Sequence, residues 1–170
     1  MRYGIAIFLS EELRKKVNSY RKRYDSHFAW IPPHITVKEP FELEADEVDG
    51  CVDAIRQVTN SIEPIHISVN KVGSFHPVNN VIYLRVADDP HLLELNRRLN
   101  QGEFSDSHKY KYVPHITIAQ DLSDIEHADV LNRLKMKEFS HEEVATKVHL
   151  LKQQENGTWH VYETFYLGKV

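Results

Sequence analysis

The chain has 170 residues, 41% of them hydrophobic and 27% charged, with 21 Lys+Arg against 25 Asp+Glu for a formal net charge of −4. This composition reads as one soluble globular domain large enough for a real core, and the charge excludes general electrostatic capture of long nucleic acid, so any basic surface must be local. The single Cys51 excludes an internal disulfide and no apolar run reaches membrane-spanning length, which together predict a cytoplasmic protein with no membrane association.

Tyr3 to Leu9 predicts a short strand; it is too short for a signal segment and runs straight into Glu11 and Glu12. Ser10 is placed to cap a helix whose apolar stripe is Leu13, Val17, Tyr20 and Tyr24. Arg14, Lys15, Lys16, Arg21, Lys22 and Arg23 crowd the rest of that helix, as a solvated face or, as the lesser alternative, a patch for an RNA backbone. A loop through Trp30, Pro32 and Pro33 leads into a strand ending near Pro40. Ala45 to Thr59 predicts a second helix with Val48, Cys51, Val52, Ile55 and Val58 on one side, Cys51 as a small core residue. Ile65 to Phe75 predicts a strand in which Ile65, Ile67 and Val69 alternate with His66, Ser68 and Asn70.

The second half repeats this order. Val81 to Ala87 is a strand, Asp89 to Asn100 a helix with Leu92, Leu95 and Leu99 inward, and a loop then leads to another Pro-entered strand. A helix from Ser123 to about Leu134 and a strand from Val144 to Leu151 follow, and Asn156-Gly157 marks a hairpin turn into a last strand, Thr158 to Leu167. Matching elements are offset by 78 (Tyr3 to Val81), 81 (His34 to His115) and 79 (Ile65 to Val144). The expectation is an α+β chain, 1–170, forming a single two-lobed domain. Lobe one is expected at about 1–78 and lobe two at about 79–170, as two mostly antiparallel sheets facing a central cleft with helices outside.

Within this repeat one phrase recurs: Pro33-His34-Ile35-Thr36-Val37 and Pro114-His115-Ile116-Thr117-Ile118. In a strand, residues i and i+2 share a face, so His34 and Thr36 point one way, as do His115 and Thr117, while the aliphatic residues point into a core. Two such strands side by side give a groove floored by two imidazoles and two hydroxyls. That is an acid/base site with hydrogen-bond donors for an anion, and with unperturbed histidines it implies a bell-shaped rate across roughly pH 5–8.

Two His-x-Thr-x phrases about 80 residues apart in a small two-lobed α+β chain resemble the two-histidine (2H) phosphoesterase superfamily, and within it the YjcG-type bacterial branch. The resemblance covers the whole chain and both phrases are intact. It implies metal-independent opening or cleavage of a 2′-linked or 2′,3′-cyclic phosphodiester of RNA ends or small nucleotides, with His34 and His115 catalytic and Thr36 and Thr117 on the phosphate. No cofactor and no metal are expected, and protein partners are left open.

Further candidates are weaker. Lys38 continues the groove-facing register and would add charge; position 119 is Ala, so the second phrase lacks a counterpart. Tyr83 and Arg85 share a face that would meet a base and a phosphate, or serve as core and surface charge. Trp30 and Tyr112 precede the two histidines, for nucleobase stacking or, more simply, loop packing. No HxH, HExxH or CxxC spacing occurs, and His141-Glu142-Glu143 is not a zinc motif. His66, His76, His108, His127, His149 and His160 read as surface or hydrogen-bonded structural residues. A non-catalytic nucleotide- or RNA-binding module of the same fold stands as the alternative, and a scaffold with the phrases as mere core strands is a distant third.

Overall fold

Where apolar residues alternate, strands form, and where they recur every three or four residues between caps, helices form. The computed structural model describes residues 1–101 and 111–168. Its order is β1 (Arg2–Phe8), α1 (Glu11–Tyr24), β2 (His34–Glu42), α2 (Val48–Asn60), β3 (Ile65–Ser74), β4 (Ile82–Val86), α3 (Pro90–Arg98), β5 (His115–Ala119), α4 (Asp124–Lys135), β6 (His141–Ala145), β7 (Lys147–Gln153) and β8 (Trp159–Tyr166). The helix starts are chemically explicit. Ser10 Oγ accepts from Leu13 N–H, Asp89 accepts from His91 and Leu92 N–H ahead of Pro90, and Ser123 and Glu126 satisfy each other's backbone in a capping box.

Two four-stranded antiparallel sheets result, in the orders β2-β1-β7-β8 and β5-β4-β3-β6. They do not divide at residue 78 as the repeat suggested: β3 joins the second sheet and β7 with β8 the first. The cause is local. Residues 75–81 are a short connection, so β3 folds back on β4 as a hairpin, Ser74 opposite Ile82. The expected strand Val144 to Leu151 is two strands, because at Thr146 the chain leaves the second sheet, where Ala145 pairs with Ile65, and enters the first, where Leu151 pairs with Gly4. Each repeat thus lends its third strand to the other sheet. Gly157, at φ +92°, makes the β7–β8 turn with a backbone that a Cβ would strain.

One apolar cluster runs through both halves, including Ile5, Ile7, Ile35, Val37, Ile65, Ile67, Leu84, Ile116, Ile118, Leu150 and Phe165. The aliphatic members of both His-x-Thr-x phrases are in it, at 0–1% exposure for Ile35, Val37, Ile116 and Ile118. Burying one such side chain is worth about 1.5–3 kcal/mol, so the core holds the phrases in register and their polar members face the other way. β2 and β5 approach each other at the seam between the sheets, α1 lies along β5 and α3 along β2. Asn96 on α3 donates to Val37 O at 2.8 Å, and Gln120 N–H beyond β5 donates to Tyr24 O at 3.1 Å.

A buried ion pair completes this seam. Arg21, placed with the surface cations by sequence, is 2% exposed. It falls one turn after Val17 on the apolar stripe, so its guanidinium is carried inward while Arg14, Lys15, Lys16, Lys22 and Arg23 remain exposed. Its Nε donates to Asp25 at 2.9 Å and its terminal nitrogens to Asn18, His27 O and Ile31 O. Asp25 also accepts from Gln120 Nε2 at 2.7 Å, which ties α1 to the second phrase. Replacing one member of a buried pair leaves the other charge uncompensated. Arg21→Met is therefore expected to lower unfolding free energy by about 3–5 kcal/mol in urea titration at pH 7; a loss under about 1 kcal/mol would reduce Arg21 to a packing role.

Candidate active site

The two phrases are built alike. In each, the imidazole Nδ1 lies against the backbone carbonyl two residues earlier, His34 to Pro32 O at 2.8 Å and His115 to Val113 O at 2.7 Å. A carbonyl oxygen only accepts, so each Nδ1 carries the proton and each neutral ring keeps its lone pair on Nε2. His34, Thr36, His115 and Thr117 all line one cavity of about 840 Å³ between the sheets. The groove of two imidazoles and two hydroxyls read from the sequence is assembled. Tyr112 spans it, its hydroxyl donating to Thr36 O at 2.7 Å, and burial raises its pKa above the ordinary phenol value.

Electrostatics differ on the two sides. Burial pulls His34 down from 6.5 to about 4; the Pro32 carbonyl opposes this, Arg21 and His115 add to it, and Asp25 opposes it. His115 is also lowered by burial, while the Val113 carbonyl and the Glu39 carboxylate work the other way.

Lys38 lines the same cavity, though not through the simple alternation read from the sequence. Ala6 stands opposite Thr36 but Ile5 opposite Lys38, so β2 carries one extra residue there, a bulge that turns Lys38 to the side of Ile5. Lys38 is buried, with its ammonium 3.3 Å from Asn100 Oδ1, and Glu39 lines the cavity beside it. The second phrase bulges at the same place, since Tyr83 opposes Thr117 and Ile82 opposes Ala119, so Gln120 takes the position of Glu39.

Tyr83 and Arg85 do lie on the face of Thr117 and His115, each directly across from one of them. Neither lines the cavity. The Tyr83 ring is 8% exposed, packed edge-on to His115 with centroids 5.2 Å apart and against Phe75 at 4.5 Å. It needs Gly73, where a Cβ would come within 2.7 Å of the ring. Arg85 is half exposed and 3.8 Å from Asp88. Trp30 lines the cavity at its rim.

Residues that sequence reading missed as part of the cavity wall include Arg21, Asp25, Glu39, Gln120, Gln153 and Trp159. Only Arg21 left a signal, in its stripe position and the Asp four residues on. The other histidines behave as expected: His66 pairs with Glu142, His76 with Asn80, His127 with Ser74, His149 with Thr164 and His160 with Thr158. His108 lies outside the described residues. Among the described residues no group of three or more His, Cys, Asp or Glu is placed to hold a metal ion, and no helix is long and apolar enough to cross a membrane.

Comparison with known proteins agrees with this geometry. The chain is 50% identical over 169 residues, 99% of its length and 98% of the relative's, to a protein of Bacillus mycoides named "Putative phosphoesterase". It is 48% identical over 168 residues, 99% of both chains, to one of the same name stem from Bacillus licheniformis. Among solved structures it resembles E. coli LigT complexed with 3′-AMP (TM-score 0.73, 17% identity, 99% and 98% of the two chains). It also resembles TT0787 of Thermus thermophilus (TM-score 0.72, 17% identity, 99% of each). The model of the 2′-5′ RNA ligase superfamily matches residues 9–157, a span that contains both His-x-Thr-x phrases, and the chain belongs to that superfamily.

Proposed function

We propose that this protein is a metal-independent phosphoesterase that opens or cleaves a 2′-linked or 2′,3′-cyclic phosphodiester of RNA ends or small nucleotides in the cytoplasm. The observation that carries the proposal is the matched pair of Nδ1–H to carbonyl bonds, which leaves two Nε2 lone pairs in one cavity. One neutral imidazole takes a proton from water as its oxygen attacks phosphorus. The other, protonated, gives its proton to the ribose oxygen as that P–O bond breaks, so a phosphomonoester and a free hydroxyl result. Thr36 and Thr117 donate to the non-bridging oxygens, where charge builds. Names of relatives point the same way, and LigT structures with 3′-AMP, ATP and NADP⁺ support a nucleotide as the bound species.

The test is a panel of nucleoside 2′,3′-cyclic phosphates, 2′-5′ dinucleotides and ADP-ribose 1″,2″-cyclic phosphate, each with EDTA present. Turnover of at least one class under chelation is expected. Nucleotide binding with no turnover across the panel would instead support the non-catalytic binding module.

The pH profile follows from the lowered imidazoles. His34 loses its proton above about 4 and His115 is protonated only below its ordinary 6.5. In the free protein the state with one neutral and one charged ring is therefore most populated below pH 6.5, to the acid side of the range for unperturbed histidines. The maximum of kcat/KM is expected below pH 6.5, with kcat peaking higher because a bound phosphate favours the charged ring. A kcat/KM maximum above pH 7 would contradict the effect of burial.

A further inference from the structure

The cavity is not shared equally by the two sheets. Over the second sheet, Tyr83 fills the position across from Thr117 without reaching the cavity, and the wall there is Phe75, packed on Tyr83 at 4.5 Å, with Val78, Asn79 and Val81 of the β3–β4 connection. The first-sheet residue across from Thr36 is Ala6, and the next on that face of β1 is Gly4. These two small residues leave the floor open, and the space runs on to Leu151, opposite Gly4, and to Gln153. Trp159, opposite Gln153, lays its indole over Gly4, with a ring atom 3.7 Å from where a Cβ would stand. Trp30 stands at the rim, 45% exposed, its carbonyl held by Trp159 N–H at 2.8 Å and its ring stacked on His27 at 5.0 Å.

We propose that this shelf of Gly4, Ala6, Leu151, Gln153 and Trp159, rimmed by Trp30, is the site for the substrate's nucleobase. The nucleoside then lies over the first sheet, while the strands of the second sheet bring His115 and Thr117 to the phosphate. A flat apolar floor with indole rings suits the π-face of any base, and the Gln153 amide offers one donor and one acceptor to a base edge. The asymmetry has a simple origin: Ala6 and Tyr83 occupy equivalent places in the repeat, and only the smaller leaves room for a ring. This inference rests on the phosphoesterase reading for its choice of ligand.

Two ligand pairs test it separately from catalysis. Binding of adenosine 2′-phosphate and of base-free 1-O-methylribose 2-phosphate is measured by calorimetry, and turnover of the corresponding cyclic phosphates by product release. The wild type should bind the adenosine compound about tenfold or more tightly than its base-free counterpart. Trp159→Leu and the exposed Trp30→Ala should erase much of that difference while leaving the base-free ligand unchanged. For turnover, the loss should appear in KM for the adenosine substrate and not in kcat. Equal binding of both ligands by the wild type, or equal losses for both in a variant that retains its fold by circular dichroism, would overturn the shelf. Base-dependent binding with no turnover of either substrate would overturn the phosphoesterase reading and leave the shelf standing.

Discussion

Everything in the site depends on one hydrogen bond made twice, from an imidazole Nδ1 to the carbonyl two residues before it. In both cases the intervening residue is a proline, Pro33 or Pro114. Proline has no N–H for the ladder and biases the residue before it to an extended backbone, so the chain enters the strand in a fixed shape. The bond sets both the direction of the ring and its tautomer, and so decides which nitrogen meets a ligand. A histidine oriented only by packing would keep neither.

The same repeat also generates difference. Both edge strands bulge one residue past the threonine, yet the first bulge brings Glu39 to the cavity and the second brings Gln120. His34 sits near the buried Arg21–Asp25 pair, and His115 near the Glu39 carboxylate. Across from the threonines, Ala6 stands in one sheet where Tyr83 stands in the other. A pseudo-twofold frame thus places two equivalent imidazoles, and substitutions around that frame make the two sides unequal. The proposed reaction needs such a difference, because the attacking oxygen of water and the leaving oxygen of the ribose are not alike.

Strand and helix positions were legible because caps, prolines and alternation are local. Ser10, Asp89 and Ser123 each cap the helix they announce, and Asn156-Gly157 makes the hairpin it promises. The four motif residues were legible for the same reason, since i and i+2 share a face in any strand. Strand exchange was not legible: β3 and β7 are similar in pattern, and nothing local says which sheet each completes. The bulge at Lys38 was not legible, because it shifts register without changing composition. Trp159 and Gln153 were not readable as cavity residues, since they reach it only through the pairing of β7 with β1.

The central claim is that two facing imidazoles act as one catalytic unit. Its most direct test is single-turnover kinetics of His34→Ala, His115→Ala and the double variant on a cyclic phosphate that the wild type opens. Each single variant should lose orders of magnitude in rate, and the double variant should be little slower than either. Product binding should change far less than turnover. Near wild-type rates in either single variant would contradict the account.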